Sequence, residues 1–201
     1  MSASRKKTIL YKYQKLKTIL LEKGRRCIVL KIALCGYLGS GCTEVAEILS
    51  GKLNLEVVNT SKILTAIKDF ETLSRSGEID VDMLIKSKLE EILRERDNII
   101  VEGRSAFFLL DRKDMIKIFL NTSFEERVKH VASRRGISLD EAKEDVVRSD
   151  RDRNSIVKRF FKKDAPELSD FDFVIRTNMK TFAAIADIII DVIKGLSSIK
   201  P

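Results

Sequence analysis

The chain has 201 residues, 44% of them apolar and 34% charged, with 38 Lys+Arg against 30 Asp+Glu. That balance suits one globular domain with its own core and excludes a disordered polyelectrolyte. No apolar run approaches the ~18 residues of a membrane span, and three cysteines without paired spacing exclude a disulfide framework or zinc module, so a reducing cytoplasm is the expected setting.

The net charge of +8 is local: residues 1–27 hold nine bases and one acid, and the remainder is neutral. Within that basic extension Ile9, Tyr13, Leu16 and Leu20 recur at helical spacing, which predicts an amphipathic helix over 8–22. Three readings fit it: a helix packed on its own domain or a second copy, a surface for RNA or anionic lipid, or an import presequence.

From residue 28 the chain alternates short apolar runs with amphipathic ones, predicting a single domain over 28–201. Residues 27–34 form a first strand stopped by Cys35-Gly36, and Val45, Ala46, Ile48, Leu49 and Leu53 mark a helix after it. Residues 55–58 read as a second strand, and Thr60-Ser61 as the cap of a helix carrying Ile63, Leu64 and Ile67. Asp80 caps the next helix, with Leu84, Ile85, Leu89, Ile92 and Leu93 inward. Residues 98–101 and 115–120 are strands three and four. Ser123-x-x-Glu126 and Ser138-x-x-Glu141 read as capping boxes, 173–176 as a fifth strand, and 181–194 as a closing helix stopped by Gly195. The pattern predicts an α/β fold: a five-stranded parallel sheet with helices on both faces.

Gly36-Tyr-Leu-Gly39-Ser40-Gly41-Cys42-Thr43 lies between the first strand and first helix and fits GxxxxGK[ST] at every defined position but one. Glycines let backbone N–H groups wrap a phosphate, the helix N-terminus adds positive potential, and the Thr43 hydroxyl suits a magnesium ion. Cys42 stands where the pattern has lysine; Arg104, Arg134, Arg135 and Arg151 are candidates for the missing cation. A thiol at a helix N-terminus also suggests a redox or alkylation switch, against the alternative of a small filler under the loop.

Strand three ends in Glu102-Gly103-Arg104, a carboxylate suited to magnesium-bound water followed by a guanidinium fork for a second phosphate; the alternative for Glu102 is a helix cap. Residues 148–163 hold seven bases and two acids. They read as a solvated basic helix, a nucleic-acid contact, or an arginine-bearing lid in which Asp150 and Asp152 orient arginines or accept from a base.

With these sites in order, residues 28–194 resemble the cytidylate kinase-like family of the nucleoside monophosphate kinase group of P-loop proteins. The resemblance rests on Gly39-Ser-Gly-x-Thr-Glu-Val-Ala46, Ile100-Val-Glu-Gly-Arg104 and Arg148-Ser-Asp-Arg-Asp-Arg-Asn154, with support from Leu168 to Thr177. It implies a P-loop NTPase fold with a nucleotide-binding arm after strand two and a lid at about 134–163. It further implies transfer of the ATP γ-phosphoryl group to CMP or dCMP. Gly36, Gly39, Ser40, Gly41, Cys42 and Thr43 would hold ATP, Thr43 and Glu102 would serve Mg2+, and Thr60, Ser61 and Arg104 would face the monophosphate. Arg104, Arg148, Arg151 and Arg153 would be catalytic cations, with Asp150 or Asp152 near the cytosine. The sequence departs from the family at Cys42, at Thr65 (an arginine in typical members) and at Ser155 (often a further arginine), each removing a positive charge. Those losses keep open a second reading: a weak or inactive P-loop nucleotide-binding protein with a regulatory or RNA-associated role.

His130, the single histidine, has no companion at catalytic or metal-ligand spacing and reads as a surface or capping residue. Cys27 and Cys35 read as small apolar packing groups.

Overall fold

The computed structural model describes residues 29–65, 67 and 80–198. The expected amphipathic helix of the N-terminal extension, and Cys27, lie outside them, as does most of the segment expected to form the arm after strand two.

Five parallel strands form one sheet in the order β2-β3-β1-β4-β5. They are β1 (Lys31–Gly36), β2 (Glu56–Val58), β3 (Ile99–Glu102), β4 (Ile116–Asn121) and β5 (Phe173–Arg176). The helices are α1 (Cys42–Leu53), α2 (Thr60–Thr65), α3 (Val81–Glu95), α4 (Phe124–Arg135), α5 (Leu139–Phe161) and α6 (Phe182–Ser198). Among the described residues no helix is long and apolar enough to cross a membrane.

The near-continuous apolar strands are explained by burial on both faces. Ala33, Cys35, Ile99, Val101 and Phe119 pack with Ile85, Leu89 and Leu93 of α3 and with Ile156 and Val157 of α5. The alternate residues Ile32, Leu34, Ile100, Ile118 and Leu120 pack with Val45 and Leu49 of α1 and with Ile185 and Ile189 of α6. A third cluster joins α4 to α5 through Val128, Val131, Ala142 and Val146.

Local signals succeed where the partner is a few residues away. Asp80 accepts from Met83 N at 3.2 Å, and Ser138 and Glu141 form the reciprocal capping box. Elsewhere tertiary contacts take precedence. β1 runs through Cys35 and Gly36 because both keep register with Phe119 and Leu120 of β4. Asn59, ahead of Thr60 and Ser61, caps α2 by accepting from Lys62 N. Ser123 makes no cap bond; its hydroxyl accepts from Asn178, and Glu126 accepts from Met179 N instead. α6 passes through Gly195 to Ser198, since one glycine in a helix costs only about 1 kcal/mol. The apolar run 106–110 falls mainly in a 3₁₀ segment, Gly103–Leu109, with Phe107 and Phe108 fully buried.

The span expected as a lid is mostly one 23-residue helix, α5, packed against α4 and the 3₁₀ segment.

Candidate active site

The site is built at the carboxyl ends of the central strands, where parallel sheets open a crevice. Leu34 of β1 is in register with Glu102 of β3, so the loop leaving β1 begins beside that carboxylate.

Six consecutive carbonyls of the loop each accept a hydrogen bond, four of them from side chains distant in sequence. Gly36 O accepts from Arg153 Nε at 3.2 Å, Tyr37 O from Ser40 N at 3.0 Å and Leu38 O from Arg127 Nη1 at 3.2 Å. Gly39 O accepts from His130 Nδ1 at 2.9 Å, Ser40 O from Thr122 Oγ1 at 3.5 Å and Gly41 O from Val45 N at 3.0 Å. A carbonyl only accepts, so Nδ1 of His130 carries the proton. The N–H groups of Gly39, Gly41, Cys42 and Thr43 have no backbone partner among the described residues. Donors aimed inward with carbonyls tied back form a nest for an anion at a helix N-terminus.

Two glycines permit this course. Gly39 and Gly41 hold φ of 85° and 86°. A Cβ on Gly39 would lie 2.5 Å from the Arg127 carbonyl oxygen, and one on Gly41 would lie 2.4 Å from the Phe182 ring. Side chains at either position would strain the backbone and push the loop off α4 or α6.

Arg127 and His130 are residues whose hold on the loop sequence reasoning missed; Arg127 is the buried one. It is 6% exposed, pairs with both oxygens of Asp150 at 2.8 Å, and lies over the rings of Tyr37 and Phe124. Its signal was present: Phe124 and Val131, three before and four after, place it on the inward stripe of α4. Asp150 therefore orders an arginine, one of its two expected uses, but the arginine belongs to α4. Asp152 is exposed, with its carbonyl accepting from Ser155.

The cation candidates separate sharply. Arg104 is tied to Asp82 at 2.8 Å, Arg134 to Glu44 at 3.5 Å, and Arg135 and Arg148 both to Asp145. Arg151 is exposed and makes no hydrogen bond or ion pair among the described residues. Arg153 is 8% exposed and packed under the loop. On α5 it falls seven residues after buried Val146 and just before Ile156 and Val157, so it lies on the apolar stripe.

Cys42 is buried and its Sγ approaches Ser40 Oγ at 3.5 Å. Burial pushes the thiol up to about 12, opposed by the Ser40 hydrogen bond, and this favours the small neutral filler beneath the loop over the switch. Cys35 is buried as expected, its thiol likewise raised well above its usual range by burial.

Glu102 is 5% exposed and accepts from Thr43 Oγ1 at 3.3 Å through both oxygens. Burial raises its carboxyl pKa, opposed by hydrogen bonds from Thr43 and Asn59. Its side chain makes no cap bond to the 3₁₀ segment, which excludes the capping alternative. Among the described residues no group of three or more His, Cys, Asp and Glu could cage a metal. One carboxylate and one hydroxyl beside a phosphate nest are instead the sparse oxygen set that suits magnesium, which retains waters and borrows phosphate oxygens.

On the opposite flank, Thr60 Oγ1 shares a hydrogen bond with Ser105 Oγ at 2.7 Å, Ser61 is exposed, and Thr65 bonds back to Ser61 O. Nε of Arg104 is buried without a partner among the described residues, as is Nε of Arg127 against the loop.

The cytidylate kinase-like family model matches residues 74–179. A cytidylate kinase of Sulfolobus acidocaldarius is 32% identical over 171 residues, covering 82% of this chain and 94% of that protein. One of Sulfurisphaera tokodaii is 29% identical over 154 residues, covering 73% and 86%. Among solved structures, an uncharacterized protein from Eubacterium ventriosum superposes with a TM-score of 0.67 at 18% identity, over 82% of this chain and 98% of that one. Shikimate kinase from Bacteroides thetaiotaomicron gives 0.58 at 16% identity, over 83% and 99%. At such identities the structures speak to the fold.

Proposed function

This chain belongs to the cytidylate kinase-like family and is a nucleoside monophosphate kinase, and on that premise we propose that it moves the γ-phosphoryl group of ATP to the 5′-phosphate of CMP or dCMP. The observation that carries the reading is the loop itself, six carbonyls each with a donor and the N–H groups of Gly39, Gly41, Cys42 and Thr43 left without a backbone partner among the described residues, beside Glu102.

Gly39, Gly41, Cys42 and Thr43 hold the donor phosphates through backbone N–H groups, and Gly36 and Ser40 shape the loop, the Ser40 N–H closing its turn on the Tyr37 carbonyl. Thr43 and Glu102 would hold magnesium, which would supply charge neutralisation to the phosphates. Arg104 grips the acceptor phosphate near Thr60 and Ser61, with Asp82 fixing its far end. Arg151, exposed on α5, and Arg148, exposed but paired with Asp145, would approach the transferring group, and Asp152 is exposed beside them. Catalysis is by positioning and electrostatics, with no covalent intermediate on the protein.

The test is transfer from Mg-ATP across CMP, dCMP, UMP, AMP and GMP with an acceptor-free control. CDP or dCDP well above the control is expected; a different preferred acceptor would overturn the base assignment. A second reading, a nucleotide-binding protein with little transfer, is favoured by the buried Cys42 in the lysine position. It would be supported by ATP binding without transfer to any acceptor, and loss of a partner on deleting residues 1–24 would extend it to the basic extension.

A further inference from the structure

The P-loop pattern needs a cation at its core, and Cys42 cannot supply one: its side chain is buried, uncharged and turned onto Ser40. The charge must come from elsewhere or the phosphates would meet only N–H dipoles. Nearly every other arginine near the site is already spoken for by a carboxylate: Arg104 by Asp82, Arg127 by Asp150, Arg134 by Glu44, Arg135 and Arg148 by Asp145, and Arg159 by Asp80. Arg151 has no such partner but is exposed.

Arg153 differs from all of them. It is 8% exposed and has no carboxylate partner among the described residues. Nε is anchored on the carbonyl of Gly36, the first residue of the loop, and Nη1 on the carbonyl and hydroxyl of Ser149. Nη2 has no hydrogen-bond partner among the described residues. The charged and titratable groups that interact with it include Cys35, Tyr37, Cys42, Glu102, Arg104 and Asp150, so it lies among the loop, the magnesium carboxylate and the acceptor-side arginine. A buried guanidinium with no carboxylate in direct ion-pair contact gains from an arriving anion.

We propose that Arg153 replaces the missing loop lysine: a cation delivered from α5, 117 residues along the chain, fixed to Gly36 and presenting Nη2 to the β- and γ-phosphates. The inference rests on the nucleotide-kinase reading of this site. It makes Arg153 part of the loop's permanent wall, unlike the exposed Arg148 and Arg151, and it explains how a cysteine is tolerated at position 42.

The test measures binding of inorganic tripolyphosphate to the full chain by titration calorimetry, alongside transfer from Mg-ATP. Arg153→Gln keeps a donor for Gly36 and removes the charge; its affinity is expected to fall about 10–100-fold, with a parallel loss of transfer. Cys42→Lys added to that variant returns a cation to the pattern's own position and should recover most of the loss. Unchanged affinity in folded Arg153→Gln, or no recovery from the lysine, overturns the proposal. Should Arg153→Gln unfold, Arg153→Lys carries the test: with the Gly36 and Ser149 anchors lost its affinity is expected to fall about tenfold, Cys42→Lys added to it should recover most of the loss, and unchanged affinity or no recovery would reject the role. Wild-type protein that binds tripolyphosphate but transfers to no monophosphate would remove the kinase reading and leave the cation's role standing. Wild-type protein that binds none would remove both.

Discussion

The two flanks of the site are finished to different degrees. On the donor flank every carbonyl from Gly36 to Gly41 has a partner, and Arg127, His130 and Arg153 hold the loop from α4 and α5. On the acceptor flank Thr65 bonds only to its own helix and Ser61 is exposed, while a buried Nε without a partner among the described residues occurs on both flanks, at Arg104 and at Arg127. A nest for phosphates must be rigid before the ligand comes, because N–H groups that had to be reoriented would waste binding free energy. An acceptor site can leave donors waiting, since the monophosphate itself completes their hydrogen bonds.

The contrast can be broken first at Arg127. Arg127→Met strands Asp150 and the Leu38 carbonyl, and losing one partner of a largely buried pair costs about 3 kcal/mol or more. Urea unfolding should show that loss, with tripolyphosphate affinity falling alongside it. A stability change without an affinity change would separate the strut from the nest.

On the other flank, Arg104→Met should lower kcat/KM for the monophosphate about 10–100-fold while tripolyphosphate affinity stays near wild type. Thr65→Arg adds the charge that the family pattern has there and should reduce acceptor KM severalfold, read from initial rates at saturating Mg-ATP. Equal damage to donor and acceptor binding in Arg104→Met would mean that the flanks are one unit.

His130 gives a smaller effect because its bond to Gly39 O is on an exposed side chain. His130→Leu should weaken tripolyphosphate binding about 2–5-fold, roughly the worth of one neutral hydrogen bond, and His130→Asn should restore it in part.

The smallest effect concerns Cys42. With its thiol pushed up to about 12, it should stay unlabelled by iodoacetamide at pH 8.5 in native protein and react once the chain is denatured, as peptide mass mapping would show. Because the folded value lies above the ordinary thiol value of 9.0, its contribution to stability is intact below pH 9 and declines as pH rises from 9 towards about 12. Rapid native labelling would revive the switch.

The sequence by itself determined the alternation of strands and helices, the glycine turn after β1, the Asp80 cap and the Ser138 capping box. These depend on residues within a turn of one another or on period-2 and period-3.6 patterns, and a linear string records such neighbours directly. Only the tertiary structure decided what each arginine does. Arg148, Arg151 and Arg153 share one short basic run, yet one pairs with Asp145, one is exposed, and one enters the loop at Gly36. The partners of Gly36, Leu38, Gly39 and Ser40 come from 82 to 117 residues away. Which side chain meets which carbonyl is set by how α4 and α5 pack across the strand ends, a geometry that no local spacing carries.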